Sequence, residues 1–201
     1  MVSPRPCSPR PEDNRLGEGQ KYGSRAALLG ACDCPGNDFE IYSAEAMKLL
    51  IIESLAIDTK SNDMVVLLRV ESDDELLPIW IGNAETMSIA LALANIEPPR
   101  PLTHDLVINV LRGISAEIQR VVITALIENT YFALLYIQSG DELIVIDSRP
   151  SDAIALALRT GAPIFLKDDI PTISADYEDT ERRNIESRLR RIDPRQLIGG
   201  Q

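Results

Sequence analysis

Ile89-Ala90-Leu91-Ala92-Leu93 recurs unchanged, 65 residues later, as Ile154-Ala155-Leu156-Ala157-Leu158. Each copy follows three β-favouring segments. Ahead of the first copy, residues 48–57, 64–70 and 77–81 are rich in Leu, Ile and Val. They are separated by the polar turn Asp58-Thr59-Lys60-Ser61-Asn62-Asp63 and an acidic turn over residues 71–75. Gly82-Asn83 then opens an Ala- and Leu-rich stretch that predicts a helix over 84–94, with Asn83 as its cap. Ahead of the second copy, residues 117–127, 130–138 and 142–146 read as strands, with Glu128-Asn129 and Ser139-Gly140-Asp141 as turns. Asp147-Ser148-Arg149-Pro150 starts a helix that runs to Arg159, with Pro150 at the first helical position, where a missing N–H costs nothing. Gly161 ends it, and residues 163–166 form one more strand.

The two stretches align without gaps, placing Ile79 and Ile81 opposite Ile144 and Ile146. Same order and same spacing predict a duplicated three-strand-plus-helix unit. Most strand connections are too short for helical crossovers. The expected fold is therefore α+β, with mostly antiparallel sheets packed with helices. Alanines interleaved with Leu and Ile let those helices approach the sheet closely. Residues 98–115 join the units and contain a further short helix over 104–113, capped by Thr103.

Forty-five per cent of the 201 residues are apolar, 25% are charged and the net charge is −11. Residues 1–39 are neutral and residues 177–201 carry +1, so −12 falls on the body between them. A body of that sign disfavours a protein that coats nucleic acid generically, since coating needs cations that displace counterions from phosphate. No apolar run reaches the ~20 residues that span a bilayer, so no membrane partner is expected. The three cysteines, Cys7, Cys32 and Cys34, form no closed disulfide framework, which points to a reducing, cytoplasmic compartment.

Five prolines and several glycines within residues 1–38, with no apolar period, predict a disordered N-terminal extension over 1–46. The folded domain is expected over 47–170 and a charged helical tail over 171–201. Arg182, Arg183, Arg188, Arg190 and Arg191 in that tail form either a solvated helix face paired with Glu178, Glu181 and Glu186, or a contact for nucleic acid.

Two segments concentrate groups able to do chemistry. Pro98-Pro99-Arg100-Pro101-Leu102-Thr103-His104-Asp105 fixes an extended path into a sharp helix start, and His104 is the only histidine. An imidazole titrates nearest neutrality, so His104 is either a general acid/base or a structural ring held by a loop carbonyl. Asp147-Ser148-Arg149-Pro150-Ser151-Asp152 places two carboxylates about an arginine at a strand-to-helix turn. That is either a capping turn with an Arg–Asp pair, or a site where carboxylates hold a metal or orient water while Arg149 holds phosphate. Glu85 occupies the corresponding turn of the first unit. Trp80, just ahead of it, reads as a core or interface aromatic.

Taken together, Leu77-Pro78-Ile79-Trp80-Ile81-Gly82 with Glu85, the Pro98–Leu106 segment and Ile146-Asp147-Ser148-Arg149-Pro150-Ser151-Asp152-Ala153-Ile154-Ala155-Leu156-Ala157 resemble the bifunctional nuclease domain family over residues 47–166. Ser148 and Thr86 stand where that family commonly has Ala, and Asn129 where it often has Gly; none of these removes an ionisable group. The resemblance implies a duplicated strand-strand-strand-helix fold and a nuclease acting on RNA and DNA with low sequence specificity. On that reading His104, Asp105, Glu85, Asp147 and Asp152 supply the base and metal ligands. Arg100 and Arg149 hold phosphate, with Arg182 and Arg183 as further contacts. Mg²⁺ or Mn²⁺ is the divalent cation such oxygens would take. The alternative is a non-catalytic ligand-binding or assembly module of the same fold. Unpaired sheet edges would leave room for a homodimer.

Overall fold

The computed structural model describes residues 47–73, 75–173, 184–185 and 187–198. Backbone contacts divide the chain into units 1–38 and 39–201, and every described residue belongs to the second. The extension expected over 1–46 lies outside the described residues, as do Glu178, Glu181, Arg182, Arg183 and Glu186.

Strands β1 (Met47–Asp58), β2 (Met64–Val70) and β3 (Leu76–Ile81) form one antiparallel meander, followed by helix α1 (Asn83–Leu93). Helix α2 (Thr103–Gly113) leads into a second meander, β4 (Ala116–Ile127), β5 (Thr130–Ser139) and β6 (Glu142–Ser148), followed by α3 (Pro150–Thr160) and β7 (Ile164–Lys167). Strand β8 (Leu189–Ile192) and the short helix α4 (Pro194–Ile198) end the described chain. All eight strands make one sheet in the order β3-β2-β1-β7-β4-β5-β6, with β8 added to β1. Strand β7 pairs antiparallel with β1 and parallel with β4, so the two meanders fan outward from it. The fold is α+β, and β4–β7 is the sole parallel pair among the described residues.

Local chemistry sets the boundaries. Glu128 and Asn129 take φ of 47° and 63°, and Ile127 pairs with Thr130 across them. Positive φ at both central residues is the tight hairpin turn that matches strand twist. Gly161, at φ 75°, ends α3 in the left-handed region, and Pro150 opens that helix.

Asn83 and Thr103 are not the caps the sequence suggested. The capping residues are Gly82 and Leu102, which make no side-chain cap, and the acid three residues further on accepts a backbone N–H at each helix start. Asp105 accepts the Leu102 N–H at 2.9 Å, while Glu85 folds back so closely that a Cβ on Gly82 would lie 2.5 Å from its Oε2. A side chain at position 82 would displace that carboxylate.

The C-terminal segment departs from a single charged helix. Residues 184–185 and 187–188 are helical, but Leu189–Ile192 is strand. Strand β7 begins at Ile164 and so reaches along β1 only as far as Leu50, short of the register shift of β1 against β2 between Ile52 and Ser54. Ahead of the shift, Met47–Leu50 pair with β7; beyond it, Leu55–Asp58 have no partner on that side until β8 supplies one. Leu189 and Ile192 are half-buried, while Arg190 and Arg191 are exposed. Arg188 bonds the buried Asp58 carboxylate, which also accepts the Lys60 N–H at 2.9 Å.

One hydrophobic core joins the helices to one face of the sheet. Ile89 and Ile154, equivalent by the repeat, are both fully buried in it, as are Ala90 and Ala155. Helices α1 and α3 pack on each other over this face. Shortening Leu156, 4% exposed within that core, to Ala is expected to cost about 2–5 kcal/mol of stability, read from urea denaturation.

Candidate functional site

Helices α1 and α3 start from the two outermost strands of the seven-strand path, β3 and β6. In a flat sheet those strands would lie about 29 Å apart, at about 4.8 Å per spacing. Both helices turn inward, and their first turns meet through Arg149. Its Nε donates to Asp152 Oδ2 at 2.8 Å, and its Nη2 donates to Glu85 Oε1 at 2.6 Å and to Asp152 Oδ1 at 3.2 Å. Nη1 has no partner among the described residues, and the Arg149 side chain is 66% exposed.

Helix α2 brings His104 to the same place. Its Nε2 lies 3.1 Å from Asp152 Oδ1 and its Nδ1 lies 2.8 Å from Ser88 Oγ on α1. A carboxylate at Nε2 can only accept, so Nε2 carries the proton; in the neutral ring Nδ1 then accepts from the Ser88 hydroxyl. Next along α2, Asp105 Oδ1 accepts from Arg159 Nε at 2.6 Å. Arg159 also donates to the carbonyls of Ser88 and Ala155. One hydrogen-bonded system therefore ties all three helices together.

The carboxyls are held as anions. The Glu85 carboxyl lies below its ordinary range because it accepts its own backbone N–H and the Arg149 guanidinium. For Asp152, burial pushes upward, but the hydrogen bonds from Arg149 and His104 outweigh it and leave the group low. Asp105 is likewise low, as Arg159 and the Leu102 N–H overcome its burial. The Arg149 guanidinium is pushed the other way by Asp152 and Glu85.

Of the residues singled out from sequence, His104, Glu85, Arg149 and Asp152 form one connected cluster, and Asp105 stands beside it. Asp147 does not join them. Ile144, Ile146 and Ser148 pair with the core-facing Ile137, Leu135 and Ala133, so strand alternation sends Asp147 to the opposite face, where it is exposed. Arg100 is exposed in the proline-rich connection, with no partner among the described residues. Trp80 is 44% exposed and its Nε1 points to Asp58. Among the described residues, no three His, Cys, Asp or Glu side chains converge as a set that could hold a metal ion. Two participants, Ser88 and Arg159, were not singled out. Their signal was divergence between the copies: at the 65-residue offset, Ser88 faces Ala153, Asp152 faces Met87 and Arg159 faces Ala94, although the core positions between them are identical.

Residues 66–175 match the bifunctional nuclease domain family. This chain belongs to that family. Over 119 residues it is 39% identical to an uncharacterised protein of Mycobacterium tuberculosis, covering 59% of this chain and 71% of the relative. Over 110 residues it is 32% identical to bifunctional nuclease 1 of Oryza sativa, covering 53% of this chain and 33% of the rice protein. Bifunctional nuclease 2 of Arabidopsis thaliana is 31% identical over 103 residues, 50% of this chain and 31% of the plant protein. The matched region of this bifunctional nuclease domain contains the whole His104 cluster. Among the described residues, no helix is long and apolar enough to cross a membrane.

The depressed carboxyls make this domain acid-labile. Because their folded-state values lie below the ordinary 3.8, the stability lent by Asp105 and Asp152 is whole above 3.8 and is lost as pH falls from there through the folded-state values. Melting temperature should therefore drop steeply on the acid side of pH 4, and Asp105→Asn should flatten that dependence in a calorimetric pH series.

Proposed function

We propose that this bifunctional nuclease domain hydrolyses phosphodiester bonds in RNA and DNA, with little sequence preference. The observation that carries the reading is the state of Arg149: an exposed guanidinium, locked in place by two carboxylates, with both Nη1 hydrogens uncommitted among the described residues and a histidine on the far side of the shared Asp152. A fixed planar cation of this kind suits a phosphate oxygen, and it is already oriented before substrate arrives. The names of the rice and Arabidopsis relatives point to the same chemistry.

His104 serves best as a proton donor. With Nε2 held by the Asp152 carboxylate and Nδ1 by the buried Ser88, the ring in its imidazolium form is positioned as a general acid. On this reading phosphate docks on Arg149, water attacks phosphorus as the bond to the departing oxygen breaks, the imidazolium form of His104 protonates that oxygen, the attacking water's proton passes to solvent, and Asp152 holds the imidazole. The same groups would suit a divalent cation only if Glu85 and Asp152 parted from Arg149. The odd cysteine count supports a cytoplasmic setting.

A second reading rests on the same bonds. Every carboxylate in the cluster already has a partner, so the network also suffices as a staple for three helices in a non-catalytic binding or assembly module. Turnover of purified protein on labelled RNA and DNA, with and without Mg²⁺ or Mn²⁺, separates the two. His104→Ala should lower turnover by about 10²–10⁴-fold, with loss of the alkaline limb of the pH profile. Arg149→Lys should also lower it, because an ammonium cannot span two oxygens in a plane. Lower melting temperature with unchanged specific activity in both variants would favour the staple.

A homodimer joined at β6 is part of the proposal. Among the described residues the outer edge of β6 is unpaired, and β6 exposes Leu143, Ile144 and Ile146, whereas the edge of β3 is bridged by Ile173. Sedimentation equilibrium should show two chains per particle, and Ile144→Lys should shift the particle to one.

A further inference from the structure

Beside the His104 cluster, between α1, α2 and the end of α3, lies a cleft of about 420 Å³. This falls within the roughly 300–1,000 Å³ usual for sites that hold a small molecule. Leu91, Ile108 and Leu158 give it an apolar lining, and Asn95, Asn109 and Arg112 stand exposed at its rim. None of these three rim side chains has a hydrogen-bond or ionic partner among the described residues. The cleft shares a wall with the cluster, because Asp105 and Arg159 line it and Arg159 also bonds the carbonyl of Ser88, whose hydroxyl holds His104.

Asn95 is the informative residue. Helix α1 closes with the Ile96 N–H on the Leu91 carbonyl at 3.0 Å and the Asn95 N–H on the Ala92 carbonyl at 3.1 Å, with Asn95 at φ 52°. This closure usually places glycine at the left-handed position. Asparagine there puts an amide on a fixed backbone position at the cleft mouth. Asn109 presents a second amide from α2. An amide offers one donor and one acceptor side, and rotating it by half a turn exchanges them, so it suits the edge of any base.

We infer that the cleft holds the base and sugar of one unpaired nucleotide, its edge met by Asn95 and Asn109 and the adjoining phosphate by Arg112, so that the substrate is single-stranded RNA or DNA. This rests on the phosphodiester reading above and adds the form of the substrate. A paired base cannot enter a cleft between helices without being pulled from its stack, at a cost of a few kcal/mol. A body carrying −12 also repels a duplex, which bears one charge per about 1.7 Å. An unpaired nucleotide avoids the first penalty and, with fewer phosphates facing the body, lessens the second, and its phosphates have the local cations Arg112 and Arg149. Amides that turn to suit either pattern also account for weak sequence preference.

The test is a fluorescence-anisotropy titration of the full chain with phosphorothioate oligonucleotides, which resist cleavage, as a single strand and as the matching duplex, in ribo and deoxy forms. The single strand is expected to bind at least about tenfold more tightly than the duplex, and Asn109→Ala and Arg112→Ala are each expected to weaken it by about tenfold. Circular dichroism melting of both variants should match the parent, since both residues are exposed. Equal affinity for single strand and duplex overturns the inference, as does unchanged single-strand affinity in both variants. Tight, cleft-dependent binding of the single strand with no turnover of ordinary oligonucleotides leaves the cleft standing and removes the nuclease. Turnover that persists while both variants bind as the parent does removes the cleft and leaves the nuclease.

Discussion

The guanidinium of Arg149 joins carboxylates from two helices that begin at opposite edges of one sheet, and the geometry of the candidate site depends on that junction. Glu85 reaches it from the end of the first meander and Asp152 from the first turn of α3. Without a cation between them, two low-lying carboxyls would repel one another at the place where both helix starts already favour negative charge. With it, the acids stay ionised and His104 gains a fixed partner in Asp152. Ion pairs this open to water add little to stability. Their effect here is to set positions.

The Asp105–Arg159 pair does a related task with less solvent. Arg159 is 11% exposed and divides its donors between a carboxylate on α2, a carbonyl on α1 and a carbonyl of its own helix. It fixes the depth at which α2 sits, and hence where His104 meets both Ser88 and Asp152. The duplicated core beneath allows this asymmetry. Ile89 and Ile154 are equivalent and buried, while the helix positions facing the site have diverged so that one copy gives a hydroxyl and the other a carboxylate. Two copies of one unit thus make a single site rather than two.

Sequence sufficed where the signal was local. Strand and helix boundaries followed from turn residues, β-branched runs, Pro150 and Gly161, and the repeat followed from the identical pentapeptides. Local reading went wrong at the helix starts, where Asn83 and Thr103 looked like caps. Acids in the first turn took that role instead, because Gly82 leaves room for Glu85 and Asp105 reaches the Leu102 N–H.

What the amino-acid sequence determined by itself was the duplicated α+β unit, the family resemblance and the short set of groups able to do chemistry. Those properties depend on residue type and spacing within a few turns. Tertiary structure decided which of those groups meet. Strand alternation carries Asp147 to the far face, whereas Arg149 lies past the end of β6, at the cap of α3, and is released from that alternation. It also decided that the arginine-rich tail contributes a strand, because β7 begins at Ile164 and covers β1 only as far as Leu50, and β8 pairs the backbone of Leu55–Asp58 beyond it. Ser88 and Arg159 became partners of His104 and Asp105 through contacts 16 and 54 residues apart, at separations where sequence spacing carries no geometric information.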